Sequence, residues 1–358
     1  MSRLARMNIY RLAVPLKSPY RLSFTEVRRF DSVLVRAEDD DGRVGWGEAT
    51  LLTGYTDETV EQSYATALDV AERVTGLSVS DALNQADGIL RKAPFTATAL
   101  RTAMEMMTQD PLLRIDEHAY VPLLSLLHGR TASELEQEIE AELTKGYRTF
   151  KVKVGFDVDR DLERVRAIQE ILGDRGRIRI DANQGFDEEQ ACRFAGSLAP
   201  DSVELLEQTC AAGDWRAAKS VARVSNVPLM LDESIYGLDD VDRAAELGAA
   251  SFIKFKLMKA GGIGRLVHAL DYIRQRGMTP VLGNGVACDL GCWMEACVAA
   301  RSLDNAGEMN GFLKTRACLF LDPIEMVGGE MVLPKHFSPR INQAAVDAHT
   351  RDHIQIAA

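Results

Sequence analysis

Arg148-Thr-Phe-Lys-Val-Lys153 is a short extended run that ends on a cation, and its pattern returns along the chain. Arg177-Ile-Arg-Ile-Asp181, Val203-Glu-Leu-Leu-Glu207, Pro228-Leu-Met-Leu-Asp232 and Phe252-Ile-Lys-Phe-Lys256 are β-rich runs that likewise close on an ionisable residue. Thr279-Pro-Val-Leu-Gly283 is a sixth strand candidate. Stretches of helical periodicity lie between them, such as Asp159 to Leu172 and Glu188 to Ala199. This alternation predicts βα units and a parallel sheet. The closing residues are 28, 26, 25 and 24 residues apart. One unit of a (β/α)8 barrel takes about 30 residues. Lys153, Asp181, Glu207, Asp232 and Lys256 are therefore expected at equivalent places, one per strand, on the rim that carries the chemistry in such barrels.

The signs are ordered: a lysine, three acids, a lysine. Three carboxylates from adjacent strands make an all-oxygen site, which favours Mg2+, with Mn2+ as the alternative and zinc disfavoured. A metal held there polarises a bound carboxylate and stabilises the charge that develops when a proton α to it is removed. Side chains at i and i+2 share a strand face, so Lys151 points with Lys153 and Lys254 with Lys256. A neighbouring cation disfavours an ammonium, and enzymes bring a catalytic lysine down to about 7–8. Lys153 and Lys256 lie on opposite sides of the acids. One can take a proton from one face and the other return it from the opposite face, the layout of a racemase or epimerase. A one-base reaction would instead use the second lysine as an electrostatic stabiliser.

Outward from this region, the first 55 residues read as strands. Ser32 to Ala37 is extended, Asp39-Asp40-Asp41-Gly42 is a turn, and Arg43 to Ala49 resumes the extended run. From Asp57 to Asp110 the pattern is helical, with Thr56 or Asp57 as the expected cap. Residues 1–115 are expected to form an α+β unit, 116–315 the barrel, and 316–358 a segment returning to the first unit.

The chain has 358 residues and a formal net charge of −11, with 46% hydrophobic and 27% charged residues. That is a globular composition. The acidic balance argues against broad nucleic-acid binding. No apolar run reaches the roughly 18 residues of a membrane span, and Arg3, Arg6 and Arg11 interrupt the N-terminal apolar stretch. The expectation is a cytoplasmic protein with no membrane and no nucleic-acid partner. Its six cysteines form no C-x-x-C pair and are read as reduced thiols. Cys288, Cys292 and Cys297 are read as buried small hydrophobes rather than a thiolate metal site. Gly261-Gly262-Ile263-Gly264 is read as a βα turn, not a phosphate cradle.

Lys151-Val-Lys153, Asp181-Ala-Asn183, Glu207-Gln208, Leu231-Asp232-Glu233-Ser234 and Lys256-Leu-Met-Lys259-Ala-Gly-Gly-Ile263 together resemble the enolase superfamily. Within it they resemble the muconate-lactonizing-enzyme-like subgroup of the mandelate racemase/muconate lactonizing enzyme family. Gly45-Trp46-Gly47-Glu48-Ala49 and Val121-Pro-Leu-Leu match upstream. The resemblance implies an α+β capping domain on a modified TIM barrel, (β/α)7β. It implies Mg2+ on Asp181, Glu207 and Asp232, and Lys153 and Lys256 as the acid/base pair. Asn183, Glu233, Lys151 and Lys254 would support these groups. Two loops of the cap, about residues 17–29 and 51–59, would shape substrate choice, with Arg21 and Tyr55 as candidate contacts. Asp289 and Glu308 are further substrate-binding candidates. Three departures stand out. Ala287 stands where many relatives carry a Glu. Glu308-Met309-Asn310 stands where dipeptide epimerases carry an ammonium-gripping D-x-D. Lys254 stands where relatives often have a neutral residue. The expected activity is racemisation or epimerisation of an amino-acid derivative, a small-molecule carboxylate. The alternatives are a cycloisomerase or syn-eliminating lyase, as in muconate cycloisomerases and o-succinylbenzoate synthases, and a non-catalytic metal-binding relative. Relatives form homo-oligomers, and the same is expected here.

Overall fold

The computed structural model describes residues 2–21, 26–52 and 55–358, with the backbone alone of Arg21. β1 (Leu4–Arg21), β2 (Glu26–Asp39) and β3 (Val44–Leu51) form an antiparallel meander. The turn between β2 and β3 falls on the predicted residues. The Asp39 carboxylate accepts the backbone N–H groups of Asp41 and Arg43 and so fixes its conformation. Helices Val60–Val74, Val79–Gly88 and Pro94–Met107 bury Ala67, Val70, Phe95, Ala99 and Ala103 against this sheet.

The first of these helices starts later than expected. Its cap is Thr59, in a reciprocal box with Gln62. Glu58 explains the shift. Its carboxylate accepts the N–H groups of Phe95 (2.8 Å) and Thr96 (3.1 Å), capping helix Pro94–Met107, whose own cap position is an alanine. Gly45 and Gly47 have a similarly local reason. A Cβ on either would lie 2.1 or 2.0 Å from the carbonyl oxygen of Ala103 or Ala99, so only glycine lets β3 and that helix pack this closely.

β4 (Ala119–Pro122) leads into β5 (Ser125–Leu127), β6 (Thr149–Lys153), β7 (Arg177–Asp181), β8 (Val203–Glu207), β9 (Leu229–Leu231), β10 (Phe252–Phe255) and β11 (Thr279–Leu282). Strands β5 to β11 make one curled parallel sheet in chain order. The edges of the sheet are joined by two residues. Glu308 N–H donates to Leu282 O (3.1 Å), Gly307 N–H donates to Pro122 O (2.9 Å), and Leu124 N–H donates to Gly307 O (3.1 Å). Gly307–Glu308 thus takes the eighth place in the ring. Gly283 has φ +130°, and a Cβ there would lie 2.4 Å from Glu308 N, so this approach also requires glycine.

β12 (Met326–Val327) and β13 (Glu330–Leu333) form a small antiparallel sheet with β4. β14 (Thr350–Ala357) runs antiparallel to β1, giving the order β14-β1-β2-β3. The C-terminal tail therefore completes the N-terminal sheet. All six cysteines are free, and Cys288, Cys292 and Cys297 are buried in the apolar core. Gly261 and Gly262 form the turn that opens helix Ile263–Gln275. Among the described residues no helix is long and apolar enough to cross a membrane.

Candidate active site

Register brings the rim residues together. Lys153 pairs with Asp181 and Asp181 with Glu207 across β6, β7 and β8. Glu207 then pairs with Met230, so Asp232 sits two residues further along. Ile253 pairs with Leu231, which sets Lys254 beside Asp232 and Lys256 two residues beyond. This stagger is why Asp232 and Lys256 lie just past their strands. Asp232 N–H donates to the Gln208 side chain (3.0 Å), and Lys256 is the cap residue of helix Leu257–Ala260.

Four of the five, Lys153, Asp181, Asp232 and Lys256, line one pocket with Lys151, Lys254, Asn183, Tyr55 and Glu308, while Glu207 is not among the lining residues and contacts Lys151 and Lys254. The space not filled by atoms is about 510 Å³, open mouth included. Lys153 Nζ lies 2.5 Å from Asp181 Oδ2 and donates to Asn183 Oδ1 (2.5 Å). Lys256 Nζ lies 2.8 Å from Asp232 Oδ2 and donates to the Tyr55 hydroxyl (2.6 Å). Tyr55 in turn donates to Asp232 Oδ1 (2.9 Å), so a cap residue ties the second lysine to its acid. Asn183 donates from Nδ2 to Glu233 Oε1 (3.0 Å). Lys151 Nζ is 2.8 Å from Asp181 and 2.7 Å from Glu207, and Lys254 Nζ is 3.1 Å from Glu207.

The electrostatics follow from that pairing. Burial, the largest single influence, would lower the Lys153 ammonium, but Asp181, Tyr20 and Glu207 together outweigh burial and the repulsion of Lys151, so its pKa is raised. Lys256 is raised in the same way, with burial opposed and outweighed by Asp232, Glu233 and Glu308 together. A neighbouring cation was expected to depress these lysines; Lys151 does act in that direction on Lys153, but the adjacent carboxylate is stronger. Burial tends to raise Asp181, yet Lys151 and Lys153 hold it down to about 2. Asp232 is held well below the usual range, with burial overcome by Lys256 and Lys254. Glu233 is pushed up to about 7 by burial and by Asp232.

The donor set fits a hard divalent cation. Asp181, Glu207 and Asp232 are buried carboxylates on three adjacent strands. Among the described residues Glu207 Oε2 has no hydrogen bond and lies 2.7 Å from the Lys151 ammonium. Among the described residues the acidic group whose ligand oxygens all lie within 4.8 Å of one another is Asp39, Asp40 and Asp41, at the turn between β2 and β3, and the three barrel acids are spread more widely, with lysine heads between them.

Of the remaining candidates, the Arg21 side chain lies outside the described residues. Asp289 is not in the pocket. Its carboxylate accepts Leu319 N–H (3.0 Å) at the start of helix Asp289–Ser302, a structural bond. Glu308 lines the pocket because Gly307–Glu308 closes the barrel. Lys259 was not singled out as a site residue. Its ammonium donates to Asp232 O (3.1 Å) and Ile235 O (2.8 Å), holding the loop that carries Asp232 and Glu233. Burial lowers it to about 8 against the pull of Asp232. Its spacing of three from Lys256, one turn along a helix, was the available signal.

Residues 6–127 match the mandelate racemase/muconate lactonizing enzyme N-terminal domain, and residues 134–337 match the enolase C-terminal domain-like family. The chain belongs to the mandelate racemase/muconate lactonizing enzyme family of the enolase superfamily, a family of isomerases and lyases. Among its relatives is an L-Ala-D/L-Glu epimerase of Clostridium acetobutylicum, 28% identical over 80% of this chain and 82% of that protein. Another is an N-succinyl-L-Arg/Lys racemase of Bacillus cereus, 26% identical over 83% of this chain and 82% of that protein. A dipeptide epimerase from Cytophaga hutchinsonii, solved with Mg and the dipeptide D-Ala-L-Val, has the same fold. It superposes with a TM-score of 0.88 at 21% identity, covering 99% of this chain and 100% of that one.

Proposed function

We propose that this pocket moves a proton at the carbon α to a substrate carboxylate, racemising or epimerising an amino-acid derivative. What supports the reading is one arrangement: Lys153, partly exposed, and Lys256, buried, open onto a single pocket from strands on opposite sides of three buried acids. On one stereoisomer Lys153, as the free amine, takes the α-proton. The C–H electron pair moves into the carboxylate and gives an enediolate. Lys256, as the ammonium, returns a proton to the other face, and the roles exchange for the opposite stereoisomer. Asp181, Glu207 and Asp232 would hold a divalent ion, Mg2+ by their all-oxygen chemistry. Bound there, the ion supplies positive charge against which the enediolate oxygens develop. With Asp181 and Asp232 engaged as ligands, Lys153 and Lys256 would lose the partners that keep them protonated. Asn183 and Tyr55 hold the two lysine heads in place.

The relatives that racemise or epimerise amino-acid derivatives support the same reaction class. The test is a screen of N-acylated amino acids and dipeptides in D2O with Mg2+, followed by NMR. The expected result is deuterium at the α-carbon of both stereoisomers. Formation of a new ultraviolet chromophore, or loss of water, without α-exchange would replace the reading by cycloisomerisation or elimination.

A further inference from the structure

The proposed proton transfers leave two pocket lysines without a task, and both end on the same carboxylate. Lys151 Nζ donates to Glu308 Oε1 (2.5 Å), and Lys254 Nζ is 2.6 Å from Glu308 Oε2. Lys151 and Lys254 are 2% and 1% exposed, so neither ammonium is free to swing into solvent. Glu308 is the pocket acid to which no metal-binding role falls, and its two oxygens are taken by the protein itself. Lys151 and Lys254 hold it well below the usual carboxylate range despite its burial, so it stays charged and paired. The other acids that line the pocket, Asp181 and Asp232, contact lysines here and would be taken by the divalent ion once it is bound.

A substrate ammonium entering this space finds Lys151 and Lys254 on Glu308, the two acid/base lysines of which one is the ammonium, and no open carboxylate among the lining residues. Next to the pocket lies a neutral acceptor. Asn310 is 6% exposed and donates from Nδ2 to Leu124 O (3.3 Å), while its Oδ1 has no partner among the described residues. That oxygen lies 3.5 Å from where a Cβ on Gly285 would be, Lys314 Nζ lies 2.8 Å from the same point, adding a further cation beside it, and Gly285 lines the pocket. An unpaired carbonyl oxygen is an acceptor for an amide N–H. Like charges brought together without solvent exclude a ligand strongly, whereas a neutral donor meets no such penalty.

We propose that Lys254, acting with Lys151, closes Glu308 and restricts the pocket to amino-acid derivatives acylated on nitrogen and carrying no ammonium near the reacting carbon. Lys254 is then a specificity-determining residue. This deepens the racemase reading and rests on it.

The test uses matched pairs that differ by one ammonium group: N-acetyl amino acids against the corresponding glycyl dipeptides, across a range of side chains. The full chain with Mg2+ is incubated in D2O, and kcat/KM for α-exchange is compared within each pair. The expected result is a preference of about a hundredfold for the acetyl member. In Lys254→Asn one oxygen of Glu308 is released, and the ratio is expected to move towards the glycyl member by a similar factor. A ratio is insensitive to how much of the variant folds, and the wild-type ratio stands without the variant. Wild-type exchange of glycyl dipeptides as fast as of the acetyl compounds overturns the inference and leaves the racemase reading in place. An unchanged ratio in soluble, active Lys254→Asn also overturns it. Exchange in neither series, for any side chain, overturns the racemase reading and this inference with it.

Discussion

Glu295 shows how much charge this barrel hides. It lies on helix Asp289–Ser302, 2% exposed, and accepts Leu257 N–H (2.8 Å), while its second oxygen has no partner among the described residues. Burial raises its pKa from 4.5 to about 7. The folded protein therefore holds a proton here that the unfolded chain has released between those two values. The resulting stability is present in full below the unfolded pKa and is lost as pH rises through about 7. Glu295→Gln keeps the shape without the titration. At pH 8 the variant should exceed the wild type in stability by up to about 3 kcal/mol, with the gap closing below pH 5. Urea unfolding at both values checks this, and a gap independent of pH would contradict it. The same burial logic was legible for Lys151 and Lys254 from strand alternation alone. Their shared partner was not, because Glu308 follows no run that reads as a strand.

At the scale of elements, the strand ends were the readable part. β7 and β8 fall on the predicted residues because each strand is a short run with an abrupt polar end. The eighth position was not readable, since a strand of two residues has no periodicity to detect. It exists through three backbone hydrogen bonds and the missing side chain of Gly283. The cap of helix Val60–Val74 was misplaced for a related reason: Glu58 serves a helix some 35 residues away, a contact that local sequence does not reveal. The packing of β3 against helix Pro94–Met107 gives this scale its prediction. That helix also touches the second lysine's support, since Thr98 Oγ1 donates to Met258 O (3.1 Å). Gly47→Ala places a methyl against Ala99 O and Thr102 Oγ1, 2.0 and 2.6 Å away. The cost should be about 2–3 kcal/mol, read as a lower urea midpoint with an unchanged slope. A loss under about 0.5 kcal/mol would mean that the helix yields freely and that the close approach is not a constraint.

The whole molecule joins two units at one mouth. β14 returns to β1 and completes the cap, and Tyr55 of the cap reaches Asp232 and Lys256 of the barrel. The barrel half of the pocket was legible because five charges recur at barrel spacing. The cap half was only partly so: loop residues carry no period, and Tyr55 could be proposed as a contact but not as the link between a lysine and its acid. The central claim is that Lys153 and Lys256 serve opposite faces of one carbon, and single replacements test it most directly. With a substrate found by the exchange screen, Lys153→Ala and Lys256→Ala should each lose racemisation by about 1,000-fold. Each should still exchange the α-proton of one stereoisomer, and the two variants should retain opposite ones. Racemisation at the wild-type rate in either variant, or retention of the same stereoisomer by both, would contradict the account.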